Sequence, residues 1–125
     1  MDARRAAACY NARMTVPRLK AGILVRALIR RAEVAGAQAY VLRMGSEDSG
    51  AIFLKINRLD GTVTVLDQAR RGTEGDLVWV KPIGDAADEG KARAFFDKQI
   101  RFDPDVWIVE IEDREGRAFV DEPIV

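Results

Sequence analysis

The sequence predicts a two-layer α+β domain, in which a mainly antiparallel sheet of about five strands carries two helices on one face, in the order α-β-β-β-β-α-β. Apolar residues recur every three or four positions in residues 18–35 and 85–102, as in helices with one buried side. Between them, four short segments alternate apolar and polar residues, which is typical of strands. The apolar run at residues 106–111 predicts a fifth strand.

The first helix is predicted from Arg18 to Ala35. Gly36 ends it, because glycine readily adopts the left-handed backbone conformation that follows many helices. Arginines occupy the last turns, where positive charge complements the helix dipole. The apolar side of this helix comprises Ala21, Leu24, Val25, Leu28, Ala32 and Ala35. Residues 1–17 are basic and then weakly apolar, and we predict that they form a flexible N-terminal extension.

Alternation predicts four strands at residues 39–44, 51–58, 62–67 and 77–81. Asp60-Gly61 predicts a hairpin between the second and third strands, because this dipeptide favours the positive φ angles of a tight turn. With these two residues as the loop, Ile56 would face Val65 across the hairpin. Pro82 ends the fourth strand or confines it to an edge.

The second helix and fifth strand are separated by a predicted hinge. Asp85 is the predicted N-cap of the helix. Pro104 cannot continue the helix and restricts the backbone of Asp103. Residues 106–111 are apolar on both faces at their start, so we place this strand beside or within a four-strand antiparallel meander.

The composition indicates one globular domain. The 125 residues are 48% hydrophobic and 32% charged, unlike a disordered chain. We place the domain at residues 18–117, with a C-terminal tail at residues 118–125. The single cysteine cannot form an internal disulfide, and no apolar run approaches the roughly 20 residues of a membrane span. We therefore expect a cytoplasmic protein without membrane association.

The chain contains no histidine. Ser/His/Asp and Cys/His catalysis and histidine-ligated metal sites are therefore excluded. Any catalysis would have to use carboxylates, amines, hydroxyls or a bound metal ion. The sequence favours a protein that is not an enzyme, assigns no catalytic residue and predicts no cofactor.

Charge is unevenly distributed, although the net charge is zero. Residues 1–43 contain nine Lys or Arg against two Asp or Glu, and residues 82–125 contain six against twelve. Nucleic-acid binding would require the arginines to gather on one surface. Attraction between the basic and acidic parts within the fold is the favoured alternative, so we do not expect a nucleic-acid partner. The candidate basic surface comprises Arg26, Arg30, Arg31, Arg70 and Arg71.

Four carboxylates flank the predicted fifth strand: Asp103, Asp105, Glu110 and Glu112. Carboxylates can bind a divalent metal without histidine, which would suit a phosphodiesterase or nuclease-like site. Glu110 and Glu112 point to the same side of the strand, about 7 Å apart, so Asp103 or Asp105 would have to complete a site. In the alternative reading, Asp103 braces the turn and the two glutamates pair with arginines of the first helix. Both readings stay open, as does the identity of any metal.

A non-catalytic binding or interaction module is the leading functional hypothesis. Tyr40, Phe53 and Trp79 lie on strands whose second face we expect to be partly covered. Such a surface would suit a protein or peptide partner, or a second copy of the chain in a homodimer. The same aromatic residues are also candidates for the core.

Three segments resemble a known family: Leu28-Ile29-Arg30-Arg31, Gly50-Ala51-Ile52-Phe53-Leu54-Lys55, and the stretch from Arg101 to Glu112 that contains Phe102-Asp103-Pro104-Asp105-Val106-Trp107. Together they resemble a small bacterial family catalogued as domain of unknown function 1491. The resemblance spans roughly Arg18 to Arg117. It implies a single compact domain and assigns no activity, ligand or catalytic residue.

Overall fold

A computed structural model describes residues 20–125. It confirms the predicted α+β class, the order of the elements and the five mostly antiparallel strands. The predicted N-terminal extension, residues 1–17, lies outside the described residues. The elements are α1 (Ala21–Val34), β1 (Gln38–Arg43), β2 (Ile52–Asn57), β3 (Val63–Arg71), β4 (Asp76–Val80), α2 (Glu89–Phe102) and β5 (Trp107–Glu112).

The strands form one sheet in the order β1-β5-β2-β3-β4. β5 enters between β1 and β2, antiparallel to β1 and parallel to β2. β5 therefore lies within the sheet, one of its two predicted positions, and the pairing of β1 with β2 that a continuous meander requires does not form. The reason lies in β5, which is buried from Trp107 to Ile111 and is apolar on both faces at its start, as a central strand should be.

The hairpin between β2 and β3 forms, but its register differs from the prediction by one residue. Ile56 pairs with Thr64, not with Val65. The loop includes Leu59 as well as Asp60 and Gly61, and Leu59 has a φ of 64°. The Asp60 carboxylate accepts hydrogen bonds from the backbone N–H of Thr62 at 2.9 Å and from its hydroxyl at 2.6 Å. These side-chain bonds stabilise the longer turn.

The two helices pack on opposite faces of the sheet, so the predicted placement on one face is wrong. Leu54 and Val109 belong to the core beneath α1, on what we call the α1 face. Phe53 and Ile108, their neighbours in sequence, belong to the core beneath α2, on the α2 face. Because β2 and β5 are apolar on both sides, each face of the sheet requires a cover.

The start of α2 also differs from the prediction. Asp88, not Asp85, is the N-cap, and its carboxylate accepts a 2.7 Å hydrogen bond from the Lys91 N–H. Ala87 still pairs with Val63 in extended conformation, through two 2.8 Å hydrogen bonds. The helix therefore cannot begin before residue 88.

The two edges of the sheet differ. At β4, the Trp79 N–H donates to the Pro123 carbonyl at 2.8 Å, and the Val125 N–H donates to the Trp79 carbonyl at 2.9 Å. The C-terminal residues thus cover the β4 edge. At the other edge, β1 pairs with β5 on its inner side, and no segment within residues 20–125 pairs with its outer side.

Candidate functional site

The four predicted carboxylates do not come together. Asp103 and Asp105 precede β5, whereas Glu110 and Glu112 lie at its far end. The Asp103 carboxylate accepts a 3.0 Å hydrogen bond from the Asp105 N–H, so it braces the hinge. Among residues 20–125, no group of three or more Asp, Glu, Cys or His is arranged to hold a metal ion. The separation of the two carboxylate pairs therefore does not support a metal site that both pairs would share.

Glu110 is instead neutralised on the α2 face. Parallel pairing places Lys55 beside it, and the Lys55 Nζ lies 3.6 Å from Glu110 Oε1 and 2.7 Å from Glu89 Oε1. The Asn57 amide donates to Glu110 Oε2 at 2.9 Å. The side chains of Lys55 and Glu110 are 12% and 9% exposed. The expected pairing with arginines of the first helix does not occur here, because α1 covers the opposite face.

Glu112 extends this network towards β1. The Tyr40 hydroxyl donates a hydrogen bond to its carboxylate. That bond raises the pKa of Tyr40, and burial together with the nearby charge of Glu110 raises it further. We call Tyr40, Lys55, Asn57, Glu89, Glu110 and Glu112 the Lys55 network. Lys55 is the one cation among these six residues, and each of the three carboxylates contacts Lys55 or a neutral donor of the network, as in a structural ion-pair network.

The candidate arginines are divided between two elements and are partly neutralised. Arg26 lies 2.8 Å from Glu47, and Arg31 lies 2.9 Å from Asp121. Arg70 donates to the Gly75 carbonyl at 3.0 Å, near the end of β3. Among residues 20–125, two of the five guanidinium groups therefore have acidic partners. Arg30 and Arg71 are exposed at separate places on α1 and β3.

Of the three predicted surface aromatics, Phe53 and Trp79 are core residues. Phe53 packs edge-on against Phe95, with ring centroids 5.4 Å apart. The Trp79 indole donates to Glu122 at 3.0 Å. Tyr40 alone of the three is exposed. The aromatic residues therefore do not define a binding face.

The α1 face contains a groove that the sequence did not reveal. Two adjoining cavities, of about 410 Å³ and 120 Å³, lie between α1 and strands β2 to β4. Both are lined by Leu24, Ile52, Gln68 and Leu77, and we call the combined cleft the α1 groove. It exists because, within residues 20–125, α1 packs towards β1 and β5 and covers less of the β3–β4 side of this face.

Polar side chains form the rim of the α1 groove. The larger cavity is bordered by Asp48, Ser49 and Arg70. The smaller is bordered by Glu122 and by the Arg31–Asp121 ion pair. An apolar floor between polar rims is suited to burying apolar side chains while the rim contacts polar groups of the same ligand.

Sequence periodicity placed Leu24 on the buried side of the first helix, yet this side chain is 37% exposed. The neighbouring stripe residues Val25 and Leu28 are buried. Periodicity identifies a helix face but not how far that face extends over the sheet. The exposure of Leu24 is therefore a tertiary property without a local sequence signal.

The sequence model of the family described as "Protein of unknown function (DUF1491)" matches residues 19–121. The chain belongs to the DUF1491 family. The match includes every helix and strand of the fold and confirms the resemblance in the Phe102–Trp107 segment. It also includes Leu24 and Leu77 of the α1 groove.

Solved structures of DUF1491 proteins share this fold. A crystal structure of a family member from Caulobacter crescentus CB15 is 42% identical, covers 86% of this chain and 100% of its own, and has a TM-score of 0.80. An NMR structure of a family member from the same organism is 41% identical, covers 88% and 99%, and has a TM-score of 0.76. The solution structure of Atu0922 from A. tumefaciens is 29% identical, covers 85% and 95%, and has a TM-score of 0.72.

No curated protein matches the chain. Within residues 20–125, neither helix has the length and hydropathy required to cross a bilayer. α1 and α2 contain 14 residues each, fewer than the roughly 20 that a membrane-spanning helix requires.

Proposed function

We propose that this DUF1491 protein is a non-catalytic binding module that holds an apolar peptide segment of a partner protein in the α1 groove. One observation carries the proposal: the apolar floor beside α1 is left uncovered over two adjoining cavities of about 410 Å³ and 120 Å³. A concave apolar site with a few polar groups is the usual form of a ligand site.

The shape of the α1 groove favours a peptide segment over a compact small molecule. Its two cavities share one apolar wall formed by Leu24, Ile52 and Leu77. Two apolar side chains of one segment can therefore occupy the two cavities together. Polar groups at the rim, such as Ser49 and Gln68, are available to the peptide backbone.

Two features support binding without catalysis. The buried charges that stand out in this fold, Lys55 and Glu110, have partners within the chain and lie on the opposite face from the groove. The groove itself is lined by apolar, amide, hydroxyl and rim ionic groups, and the chain contains no histidine to act as a base near neutral pH. This combination suits recognition by shape and apolar contact.

The test uses the full chain and a phage-displayed library of random peptides. Selected peptides are synthesised, and their affinities are measured by fluorescence anisotropy. Leu24→Lys places a charge over the apolar floor and should weaken binding at least about tenfold, which is roughly 1.4 kcal/mol. Ile23→Lys is the matched control, because Ile23 is the adjacent helix residue, is 43% exposed and lines neither cavity.

Retained affinity in Ile23→Lys together with loss in Leu24→Lys would support the α1 groove as the site. Equal affinities in both variants, or a selection that yields no Leu24-dependent peptide, would overturn the proposal. Circular dichroism melting of both variants controls for folding. Lysine is a good helix former at either position, so both should remain folded.

A further inference from the structure

The outer edge of β1 is an open, apolar strand edge. Within residues 20–125, no segment pairs with this side of β1, whereas Pro123 and Val125 cover the β4 edge at the other end of the sheet. Open edges expose unpaired backbone groups that can pair with another strand. Natural sheets commonly protect such edges with lysine or proline, and β1 contains neither.

Exposed apolar side chains accompany the open edge. Tyr40, Val41 and Leu42 are all more than a third exposed, and Met44, just beyond the strand, is more exposed still. A bulge between Val41 and Arg43 interrupts the pairing with β5 at Leu42, which is 47% exposed. The regular part of the edge is therefore Gln38 to Val41, with apolar side chains at its end. Tyr40 lies on the α2 face and Val41 on the α1 face, so exposed apolar side chains occur on both faces of this edge. Exposed apolar surface of this kind often marks an interface.

The charges beside β1 indicate which strand would fit. At its N-terminal end, Gln38 pairs with Glu112 on the α2 face, and Tyr40 pairs with Glu110. At its C-terminal end, Arg43 pairs with Ile108, which lies on the same face. The Arg43 Nη2 donates to the Pro104 carbonyl at 2.8 Å, and within residues 20–125 its buried Nε has no hydrogen-bond partner. The N-terminal end of β1 thus lies beside acidic residues of β5, whereas its C-terminal end carries Arg43.

We infer that β1 pairs antiparallel with β1 of a second copy, joining two five-stranded sheets around a two-fold axis perpendicular to the sheet. This arrangement sets the Arg43 end of each strand against the Gln38 end of the other, on the same face. The partner's Arg43 is then two strand spacings, about 10 Å, from Glu112 at the backbone. That is within the combined reach of an arginine and a glutamate side chain once Arg43 leaves the Pro104 carbonyl of its own chain. Each dimer contains this charge pairing twice, which selects an identical strand as the partner.

The first experiment measures the mass of the full chain by sedimentation equilibrium over a range of concentrations. The wild-type chain should form a dimer, and Leu42→Lys should raise the dimer dissociation constant at least about tenfold, because it places one lysine from each copy at the interface. Leu59→Lys is the matched control, since Leu59 is 44% exposed at the distant hairpin turn between β2 and β3. A wild-type chain that stays monomeric to about 1 mM would overturn the inference.

A second experiment tests the two-fold geometry by charge exchange. Arg43→Glu and Glu112→Arg should each prevent dimer formation, because each homodimer would contain two like-charge contacts. An equimolar mixture of the two variants should restore a one-to-one heterodimer in native mass spectrometry, because both contacts are then between opposite charges. If the wild-type chain dimerises but the mixture of Arg43→Glu and Glu112→Arg forms no heterodimer, the β1 arrangement is contradicted. Melting temperatures show whether each variant is folded. Glu112→Arg removes the Tyr40–Glu112 hydrogen bond, whereas Leu42→Lys leaves that bond intact and tests the interface independently.

Discussion

The α2 face and the α1 face of the sheet depart from ordinary packing in opposite ways. On the α2 face, Lys55 and Glu110 are charged and nearly buried, but each has partners within the chain. On the α1 face, Leu24 and Leu77 are apolar, yet both line an open groove. Within residues 20–125, the buried charges of the α2 face therefore have partners, while the α1 face has apolar surface that no described segment covers. Charge is here a feature of the scaffold, and the incompletely buried apolar surface is the proposed binding site.

The largest effect should come from breaking the buried network on the α2 face. Glu110→Ala leaves Lys55 and Asn57 without one of their partners and should lower the free energy of unfolding by about 3 kcal/mol, measured by urea denaturation. The double variant Lys55→Met with Glu110→Leu should recover most of that loss, because it replaces the pair with apolar groups. A loss below about 0.5 kcal/mol in Glu110→Ala would show that the network behaves as a solvated surface pair.

A smaller loss of unfolding free energy is expected from truncating side chains of α1, and it should differ between the covered and the open parts of the α1 face. Val25→Ala should cost about 2 kcal/mol, because Val25 is 2% exposed beneath α1 and its truncation leaves a cavity. Leu24→Ala, one position away, removes a larger side chain but should cost only about 1 kcal/mol, because Leu24 is 37% exposed and less of its surface is buried. The comparison fails if thermal or urea unfolding gives equal losses for the two variants.

The smallest effect concerns the ion pair after β5. The Asp113 carboxylate accepts hydrogen bonds from Arg117 Nε and Nη2, both at 2.9 Å, and these bonds hold the pKa of Asp113 below its usual value. A lowered folded-state pKa stabilises the fold above the unfolded-state value of about 3.9, and this stabilisation is lost as the pH falls through the folded-state pKa. Asp113→Asn should therefore cost about 1 kcal/mol at pH 7, because Arg117 is partly solvated, and less as the solution is acidified below about pH 4.

Unfolding measured between pH 7 and pH 2.5 checks this dependence, with Glu115→Gln as the control. Glu115 is exposed and its carboxylate lies 4.0 Å from Arg117, so this control should change little. A difference between wild type and Asp113→Asn that stays constant to low pH would contradict the role assigned to the carboxylate.

Much of the fold was predictable because it depends on local pattern. The apolar run of β5 indicated a central strand, and Pro104 indicated the hinge before it. The side on which each helix packs was not predictable in the same way. Alternation shows that β2 and β5 have two apolar faces, but the path of the connections decides which helix covers which face.

The candidate site was less predictable than the fold. Glu110 was a candidate because it is a carboxylate, but its contact with Lys55 depends on the order and register of the strands. A local sequence pattern specifies neither strand order nor register. The α1 groove depends on how far α1 extends over the sheet, whereas periodicity places Leu24 on the same apolar side of the helix as its buried neighbour Val25. Charged residues can be identified from the sequence, whereas the incomplete burial of an apolar residue can be identified only from the three-dimensional structure.

The most direct test of peptide binding in the α1 groove is an NMR titration of the ¹⁵N-labelled full chain with a selected peptide. If the peptide binds in the α1 groove, amide shift changes and intermolecular contacts should appear on both walls of the groove. The affected residues should be Leu24 of α1 and Gln68 and Leu77 of the sheet. Tyr40, Lys55 and Glu110 on the opposite face should be unaffected. Contacts confined to that face, with none at Leu24 or Leu77, would contradict the central claim.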